Sequence, residues 1–206
     1  MGEGVGSRLH TGRVFDFSLR PQELAPLLVG ALLSEGGVTV QLTEVEAYAG
    51  RDDPAAHAWG GPRPHTRDLF GEPGTLYCYL SHGLHVCGNV VCEVAGGGSA
   101  VLFRAGRVLA GLELARARRG SVAEVALARG PGNLGRVMGW VLADSGRRFG
   151  ADLNLEPGES PSSVASGPRV GVSVAYQRGW RFWADGDPTV SAYRRSPRIV
   201  AGRNDW

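Results

Sequence analysis

Glycine is spread along the whole chain, and this limits what the chain can fold into. The sequence has 32 glycines in 206 residues, about twice the usual share of roughly 7%. They stand at turn positions and between short apolar runs, not in one tract. Because glycine favours turns over the interiors of helices and strands, the pattern predicts a loop-rich folded protein and not a disordered one.

Size and composition predict one folded domain over residues 1–206. A chain of this length can bury a substantial core, and its 43% apolar and 20% charged residues are ordinary for a globular enzyme. No run approaches the roughly 20 apolar residues that cross a membrane. The segment Met1–Gly6 lacks the basic and apolar stretches of a secretion signal. We therefore expect a cytoplasmic protein without membrane association.

All 22 basic residues are arginine, and the chain contains no lysine. A guanidinium stays protonated and is not a nucleophile, so any mechanism with a Schiff base on a lysine side chain is excluded. The net charge of +2 does not by itself predict a nucleic-acid partner. Nine arginines nevertheless lie between positions 104 and 148 with few acids among them. They indicate either a solvated helix face or a surface for an anionic partner.

A metal site is not expected. His82 and His85 are followed by Cys87 and Cys92, but there is no Cys-x-x-Cys motif, and a turn and two strand faces divide these residues. The cysteines, including Cys78, lie in apolar, strand-like sequence and are predicted to be buried, reduced thiols. We expect no metal and no cofactor.

The order of apolar and polar residues predicts a mixed α/β domain that is rich in strands at its centre. Helices are predicted where apolar residues follow helical spacing, strands where polar and apolar residues alternate. The predicted helices cover residues 21–33, 108–119 and 132–143. The predicted strands cover 38–46, a hairpin over 75–91, 100–105, and short strands near 169–175 and 181–184. Residues 49–73 should form a long ordered loop, which in a compact domain is usually functional.

Glu46 is the first candidate for a catalytic residue. It lies on the predicted strand 38–46, and Tyr48, two residues further on, shares its face of the strand. Downstream, Tyr79, Asn89 and Arg104 offer partners for its carboxylate. A buried carboxylate beside a guanidinium can stay ionised and act as a base towards water. The alternative is an ordinary glutamate that faces solvent.

Three aromatic side chains form a second candidate group. Tyr48, His57 and Tyr79 either pack in the core or line a pocket. The faces of aromatic rings in a pocket would hold a planar cation, with each contact worth roughly 0.5–2 kcal/mol. A base that is methylated on a ring nitrogen is such a cation and is also a good leaving group.

Several segments together resemble the alkyladenine (3-methyladenine) DNA glycosylase family, and the likeness covers most of residues 21–192. The segments that carry it are Thr43–Tyr48, Asp53–His57, Phe70–Gly71, Pro73–Tyr79, Gly83–Val91 and Val101–Ala105, with weaker matches at Gly130–Leu134 and Arg169–Val172. The resemblance implies a single mixed α/β domain with a central, largely antiparallel curved sheet, flanking helices and a protruding β-hairpin. The hairpin would enter the minor groove of double-stranded DNA.

The activity implied by this resemblance is that of a monofunctional, monomeric DNA glycosylase in base excision repair, associated with the nucleoid. It would flip alkylated purines of the 3-methyladenine type, and also hypoxanthine and etheno lesions, and leave an abasic site. Flipping costs a few kcal/mol and favours weakly paired, damaged bases. Water as the nucleophile suits a chain without lysine.

The resemblance also implies a role for individual residues. Glu46 would activate the water that attacks C1′, with Arg104 helping to orient it, and the backbone at Val170 would belong to the same water site. Four residues would contact the flipped base or crowd an undamaged one, namely Tyr48, His57, Tyr79 and Asn89. Leu69 would form an apolar wall.

The hairpin tip departs from the family pattern. Where the family often has the tyrosine that fills the vacated base stack, this chain has His82, which is smaller and titrates near neutrality. Two other functions stay open from the sequence. The chain could be a non-catalytic binder of alkylated DNA, or a hydrolase of small nucleosides.

Overall fold

The alternating segment that begins at Val38 becomes the central strand of the sheet. In the computed structural model, which describes residues 15–199, strand β2 spans Val38–Ala49 and pairs antiparallel with β5, Ser99–Ala110. Large apolar side chains of both strands, such as Leu42 and Phe103, are fully buried. Burial of this kind is the main stabilising contribution to the fold.

The other elements are arranged around this pair of strands. The remaining strands are β1 (Leu32–Glu35), β3 (Leu76–Ser81), β4 (His85–Cys92), β6 (Ala128–Arg129), β7 (Asn154–Glu156), β8 (Val164–Gly167) and β9 (Arg181–Ala184). The sheet runs in the order β3-β4-β5-β2-β1-β7, with β6 beside β5, β9 beside β2 and β8 beside β9, and all these pairings are antiparallel. The α-helices are α1 (Pro21–Leu28), α2 (Leu112–Arg119) and α3 (Pro131–Met138).

Both long strands change neighbours along their length, and there the sheet curls. Strand β2 pairs first with β1 and then with β9, while β5 pairs with β4 at one end and with β6 further on. Between these regions each strand carries one residue outside the regular pairing, Thr43 in β2 and Arg104 in β5. Such bulges bend a strand, increase its twist and re-aim side chains. The predicted curved, largely antiparallel sheet is therefore confirmed.

Helix α3 packs unusually close to the sheet. A β-carbon built on Gly135 would lie 2.0 Å from the carbonyl oxygen of Val86 in β4, so only glycine allows this approach. Leu134, Val137 and Met138 of the same helix are buried in the main core. The helix thereby supports β4, the second strand of the β3–β4 hairpin.

The predicted ends of three helices were wrong, and a glycine with positive φ explains two of these errors. The helix predicted over 21–33 ends at Leu28, because Gly30 adopts φ 95° and the next residues form β1. The helix predicted over 132–143 ends at Met138, where Gly139 adopts φ 78°. The third predicted helix loses its start, since residues 108–110 continue strand β5.

The strand predicted near 169–175 is also wrong. That segment contains turns and bends without strand pairing, although residues 181–184 do form β9 as predicted. Strands β1, β6, β7 and β8 were not predicted. The long loop 49–73 is ordered, as expected, and includes short 3-10 helices at Gly50–Asp52 and Pro64–Phe70.

No α-helix in residues 15–199 exceeds eight residues. None is therefore long enough to span a bilayer, which takes about 20 residues.

Candidate active site

A cavity of about 340 Å³ opens between the curled sheet and two loops. This volume lies within the usual range for pockets that hold small organic ligands. The six residues with a predicted substrate contact all line it: Tyr48, His57, Leu69, Tyr79, Asn89 and Val170.

The curl of the sheet is what brings these residues together. Tyr48 is on β2 and Tyr79 is on β3, and two strands lie between β2 and β3. In a flat sheet, three strand spacings would separate the two tyrosines by about 14 Å. Because the sheet bends around the cavity, both rings line the same cavity.

One wall of the cavity is aromatic. The ring centroids of His57 and Tyr79 are 4.6 Å apart, with an interplanar angle of 85°. Tyr77 stacks on Tyr79 at 5.9 Å. Burial, followed by the charge of nearby His65, lowers the pKa of His57. At neutral pH the His57 ring is therefore uncharged and does not repel a cationic ligand.

The Glu46 carboxylate lies directly behind the cavity wall and is fully buried. Its Oε1 accepts a hydrogen bond from the backbone N–H of Val170 at 2.7 Å. Its Oε2 accepts one from the Tyr48 hydroxyl at 2.9 Å and one from Arg104 Nη1 at 3.2 Å. A carboxylate oxygen can accept about two hydrogen bonds, so Oε1 retains a lone pair that a water molecule could use.

The groups around Glu46 hold their protons. Burial, followed by the charge of Glu46, raises the pKa of the Tyr48 phenol well above its usual range. Burial alone would lower the pKa of Arg104, but the carboxylates of Glu46 and Glu44 raise it. Tyr48 is thus a hydrogen-bond donor and Arg104 a cation, and both direct hydrogen atoms at the Glu46 carboxylate, a group that can act as a base towards water.

Of the three partners predicted for the Glu46 carboxylate, only Arg104 hydrogen-bonds to it. The Asn89 side chain instead donates to the backbone oxygen of Tyr77 at 3.0 Å. The Tyr79 ring packs against the rings of His57 and Tyr77. Tyr79 and Asn89 therefore belong to the cavity lining and not to the shell of the carboxylate.

The segment that carries Val170 has no regular secondary structure, and the buried side chain of Arg169 fixes it to the rest of the fold. The guanidinium of Arg169 is fully buried and hydrogen-bonds to both carboxylate oxygens of Asp53 and to the backbone oxygen of Ala47. It also lies 4.6 Å from the ring centroid of Tyr48. This anchor places the Val170 N–H against Glu46.

The hairpin tip lies apart from the cavity. His82 is exposed, adopts φ 51° and pairs through Nδ1 with the Ser81 hydroxyl at 3.0 Å. Leu84, on the same tip, is 76% exposed, the largest fraction among the large apolar side chains in the described part of the chain. The tip therefore presents two exposed side chains, whereas the sequence drew attention only to His82.

Comparison with known proteins supplies the context for this geometry. The sequence matches the family model described as "Methylpurine-DNA glycosylase (MPG)" over residues 15–188, which is most of the chain.

The chain belongs to the methylpurine-DNA glycosylase family.

Three relatives bear the name "Putative 3-methyladenine DNA glycosylase". The protein of Cutibacterium acnes is 47% identical over 190 residues, which cover 88% of this chain and 100% of the relative. The protein of Frankia casuarinae is 46% identical over 200 residues, covering 89% and 94%. The protein of Mycolicibacterium paratuberculosis is 48% identical over 190 residues, covering 88% and 92%. Membership of the methylpurine-DNA glycosylase family makes the chain a DNA repair hydrolase that acts on N-glycosyl bonds.

The cysteines of this glycosylase are buried. Burial raises the pKa of Cys78 to about 12 and that of Cys87 to about 11, so both are thiols at neutral pH. Within residues 15–199, no group of three or more His, Cys, Asp or Glu residues is placed to hold a metal ion.

No role was predicted from the sequence for Tyr77, Asp53 or Arg169. Tyr77 lines the cavity, and the pair of Asp53 and Arg169 holds the segment that carries Val170. Tyr77 precedes Tyr79 by two residues on the same strand, and this alternation was the available signal. Asp53 and Arg169 are far apart in sequence, and only their contact in the fold shows that they form a pair.

Proposed function

We propose that this protein is a monofunctional DNA glycosylase that hydrolyses the N-glycosidic bond of alkylated purines in double-stranded DNA. It would act as a monomer on nucleoid DNA and leave an abasic site. The observation that carries the proposal is the position of Glu46, which is buried and held by three donors directly behind a cavity with aromatic walls.

The reaction follows from this arrangement. The damaged nucleotide leaves the base stack, which costs a few kcal/mol and is easiest for weakly paired bases. Its base enters the cavity between aromatic side chains, and C1′ of the sugar faces Glu46. A water molecule bound to Oε1 gives its proton to the carboxylate as its oxygen attacks C1′, and the base departs.

The cavity can discriminate between purines. Asn89 is buried and held by its hydrogen bond to the Tyr77 backbone, so it leaves little room for the exocyclic amine of guanine. Purines alkylated at N3 depart as neutral bases and need little acid assistance, whereas hypoxanthine must be protonated. We therefore expect faster excision of 3-methyladenine than of hypoxanthine in single-turnover measurements.

An alkali-cleavage assay tests the proposal. Duplexes that carry a 3-methyladenine-like lesion, hypoxanthine or no damage are incubated with the protein and then treated with alkali. Strand breaks at the lesion support a glycosylase. Intact strands, together with lesion-dependent binding, would instead support a non-catalytic binder. A hydrolase of small nucleosides would lack the steep salt dependence of duplex binding that phosphate contacts produce.

We further propose that Leu84 inserts into the DNA stack alongside His82. An inserted wedge is usually apolar, and Leu84 is the more exposed apolar group at the tip, while His82 is held by Ser81. Burying a leucine contributes about 1.5–3 kcal/mol, so Leu84→Ala should lower the excision rate by at least about ten-fold. His82→Ala should lower the excision rate only about two-fold, because less apolar surface is lost than in Leu84→Ala.

Excision from duplex and from single-stranded DNA should be compared for both variants. Leu27→Ala on α1 is the matched control, because Leu27 is also more than half exposed but lies on a helix away from the hairpin. A larger loss for His82→Ala than for Leu84→Ala would contradict this assignment of the wedge.

Tyr77 should set the tautomer of His57. Burial raises the pKa of Tyr77 to about 12, so its hydroxyl stays protonated. A buried hydroxyl proton needs an acceptor, and His57 Nδ1 lies 3.1 Å away. The hydroxyl would donate to Nδ1, which leaves the ring proton on Nε2 as a donor to the flipped base.

We expect Tyr77→Phe to lower kcat/KM about five-fold, since a neutral hydrogen bond contributes about 1 kcal/mol. Nitrogen NMR of His57 should show the loss of the fixed tautomer. Tyr193→Phe, which removes the hydroxyl of a partly exposed tyrosine, should leave both measurements unchanged. If Tyr77→Phe retained the wild-type kcat/KM, the tautomer would not matter for base binding.

A further inference from the structure

A second buried carboxylate lies next to the reaction centre without lining the cavity. Glu44 is fully buried. Its Oε1 accepts hydrogen bonds from Arg104 Nε at 2.7 Å, Arg181 Nε at 2.7 Å and the Ser191 hydroxyl at 2.9 Å. Its Oε2 accepts one from the Ser191 backbone N–H at 2.7 Å. Four donors converge on a group to which no catalytic function has been assigned.

Glu44 and Glu46 bind different nitrogens of the same Arg104 guanidinium. With Nε held by Glu44, the guanidinium offers Nη1 to Glu46 and Nη2 to the Ser191 hydroxyl at 3.3 Å. Without Glu44, the same guanidinium could turn and pair with Glu46 through two nitrogens, which is the geometry that arginine prefers with a free carboxylate. A second donor would then occupy the Oε1 lone pair that water requires.

The balance of local charges also explains why Arg104 would turn towards Glu46 if Glu44 were neutral. Two carboxylates, Glu44 and Glu46, are matched by two guanidiniums, Arg104 and Arg181. Arg181 cannot turn towards Glu46, because two further contacts hold it. It stacks over Trp183 at 4.6 Å and donates to the Ser191 backbone oxygen at 2.6 Å. If Glu44 lost its charge, Glu46 would remain the nearest partner for Arg104, and the attraction would be strong at this burial.

We propose that Glu44 is a positioning residue for base excision. It holds Arg104 so that only one nitrogen of this guanidinium donates to Glu46, and the free lone pair of Oε1 stays available for the attacking water. This role rests on the proposed glycosylase function and adds a residue to it. Because Glu44 acts through Arg104 and does not touch the bound base, its loss should change the chemical step and not substrate binding.

A double-mutant cycle with Arg104 tests this role. We expect Glu44→Gln to lower kcat about 30-fold, as for loss of a hydrogen bond to a charged group, with KM within about two-fold of the wild type. In an Arg104→Met background, Glu44→Gln should have no further effect on kcat, because the group through which it acts is gone. Multiplying losses, or a wild-type kcat for Glu44→Gln, would overturn the proposal.

Arg181→Met is the matched control for stability. It breaks the other ion pair of the same Glu44 oxygen but leaves Arg104 in place. It should lower the melting temperature while kcat stays within about two-fold of the wild type, since the Arg181 side chain bonds to Glu44 and Ser191 and does not line the cavity, so its loss reduces stability and not transition-state binding. If Arg181→Met and Glu44→Gln lowered kcat equally, Glu44 would have only a structural role.

A gentler variant covers the case in which Glu44→Gln does not fold. Ser191→Ala removes one donor to Glu44 and one acceptor for Arg104 without changing any charge. It should lower kcat about three- to five-fold, as for a neutral hydrogen bond, and have no effect in the Arg104→Met background. A wild-type kcat for Ser191→Ala would count against the proposal. Absence of excision by the wild-type protein would contradict the proposed function itself and is therefore a distinguishable outcome.

Discussion

The Glu46→Gln variant should excise alkylated purines roughly 10³-fold more slowly than the wild type, within the range of about 10²–10⁴ expected for a general base. Glutamine keeps the shape of the side chain and can still accept from Tyr48 and Arg104, but it cannot take a proton from water. Single-turnover excision from a duplex with one 3-methyladenine-like site measures this loss. Affinity for a duplex with an abasic analogue should be largely unchanged, because binding does not require proton transfer to Glu46.

Glu156→Gln provides the control for this experiment. Glu156 is an exposed glutamate on β7, at the edge of the sheet away from β3 and β4, and its loss should leave excision unchanged. A Glu46→Gln protein that binds the abasic analogue and still releases base at the wild-type rate would exclude Glu46 as the base. The water would then have to be activated by another group.

The Asp53→Asn variant should lose about 3–5 kcal/mol of unfolding free energy, as expected when one partner of a buried ion pair is removed. The guanidinium of Arg169 is fully buried, so the substitution removes the negative charge of the carboxylate that is hydrogen-bonded to it in the protein interior. For a domain of this size, 1 kcal/mol corresponds to about 2–4 °C in melting temperature. The expected decrease, measured by calorimetry, is therefore about 10 °C.

The neighbouring residue offers a matched control. Asp52 is exposed, and Asp52→Asn should leave the melting temperature within about 1 °C of the wild type, as for most surface substitutions. Below its melting temperature, folded Asp53→Asn protein should also excise more slowly, because the Val170 segment loses its anchor. Equal melting temperatures for the two variants would show that the Arg169–Asp53 pair does not stabilise the fold.

The sequence predicted the composition of the site better than its geometry. The alternation from Val38 onward placed Glu46 and Tyr48 on one face of a strand, and the structure has them there, joined by a hydrogen bond. The resemblance supplied the residues of the opposite wall. The alternation and the resemblance could not show that β2 and β3, which are separated by two strands, face the same cavity. This depends on the curl of the sheet, which single-sequence patterns do not reveal.

The errors have local physical causes. Alternating valines at positions 170, 172 and 174 imitate a strand, but these residues line the cavity without strand partners. The bulge at Arg104 could not be predicted, since nothing in the spacing of β5 marks an extra residue. The partners of Glu44 and Arg169 come from segments more than 50 residues away, and single-sequence periodicity carries no information about such pairs.

The pairing of β2 with β5 has three register shifts, and the two that fall at Thr43 and Arg104 cancel one another. On one side of them Gln41 is opposite Arg107, and on the other Glu46 is opposite Leu102, which is the register an uninterrupted ladder would have. The irregularity is thus confined to a few residues, and the Thr43 hydroxyl is held there by Thr189 at 2.7 Å. We therefore expect substitutions at Thr43 or Thr189 to shift Arg104, the neighbouring residue outside the regular pairing, while the pairs on both sides of the bulges keep their register.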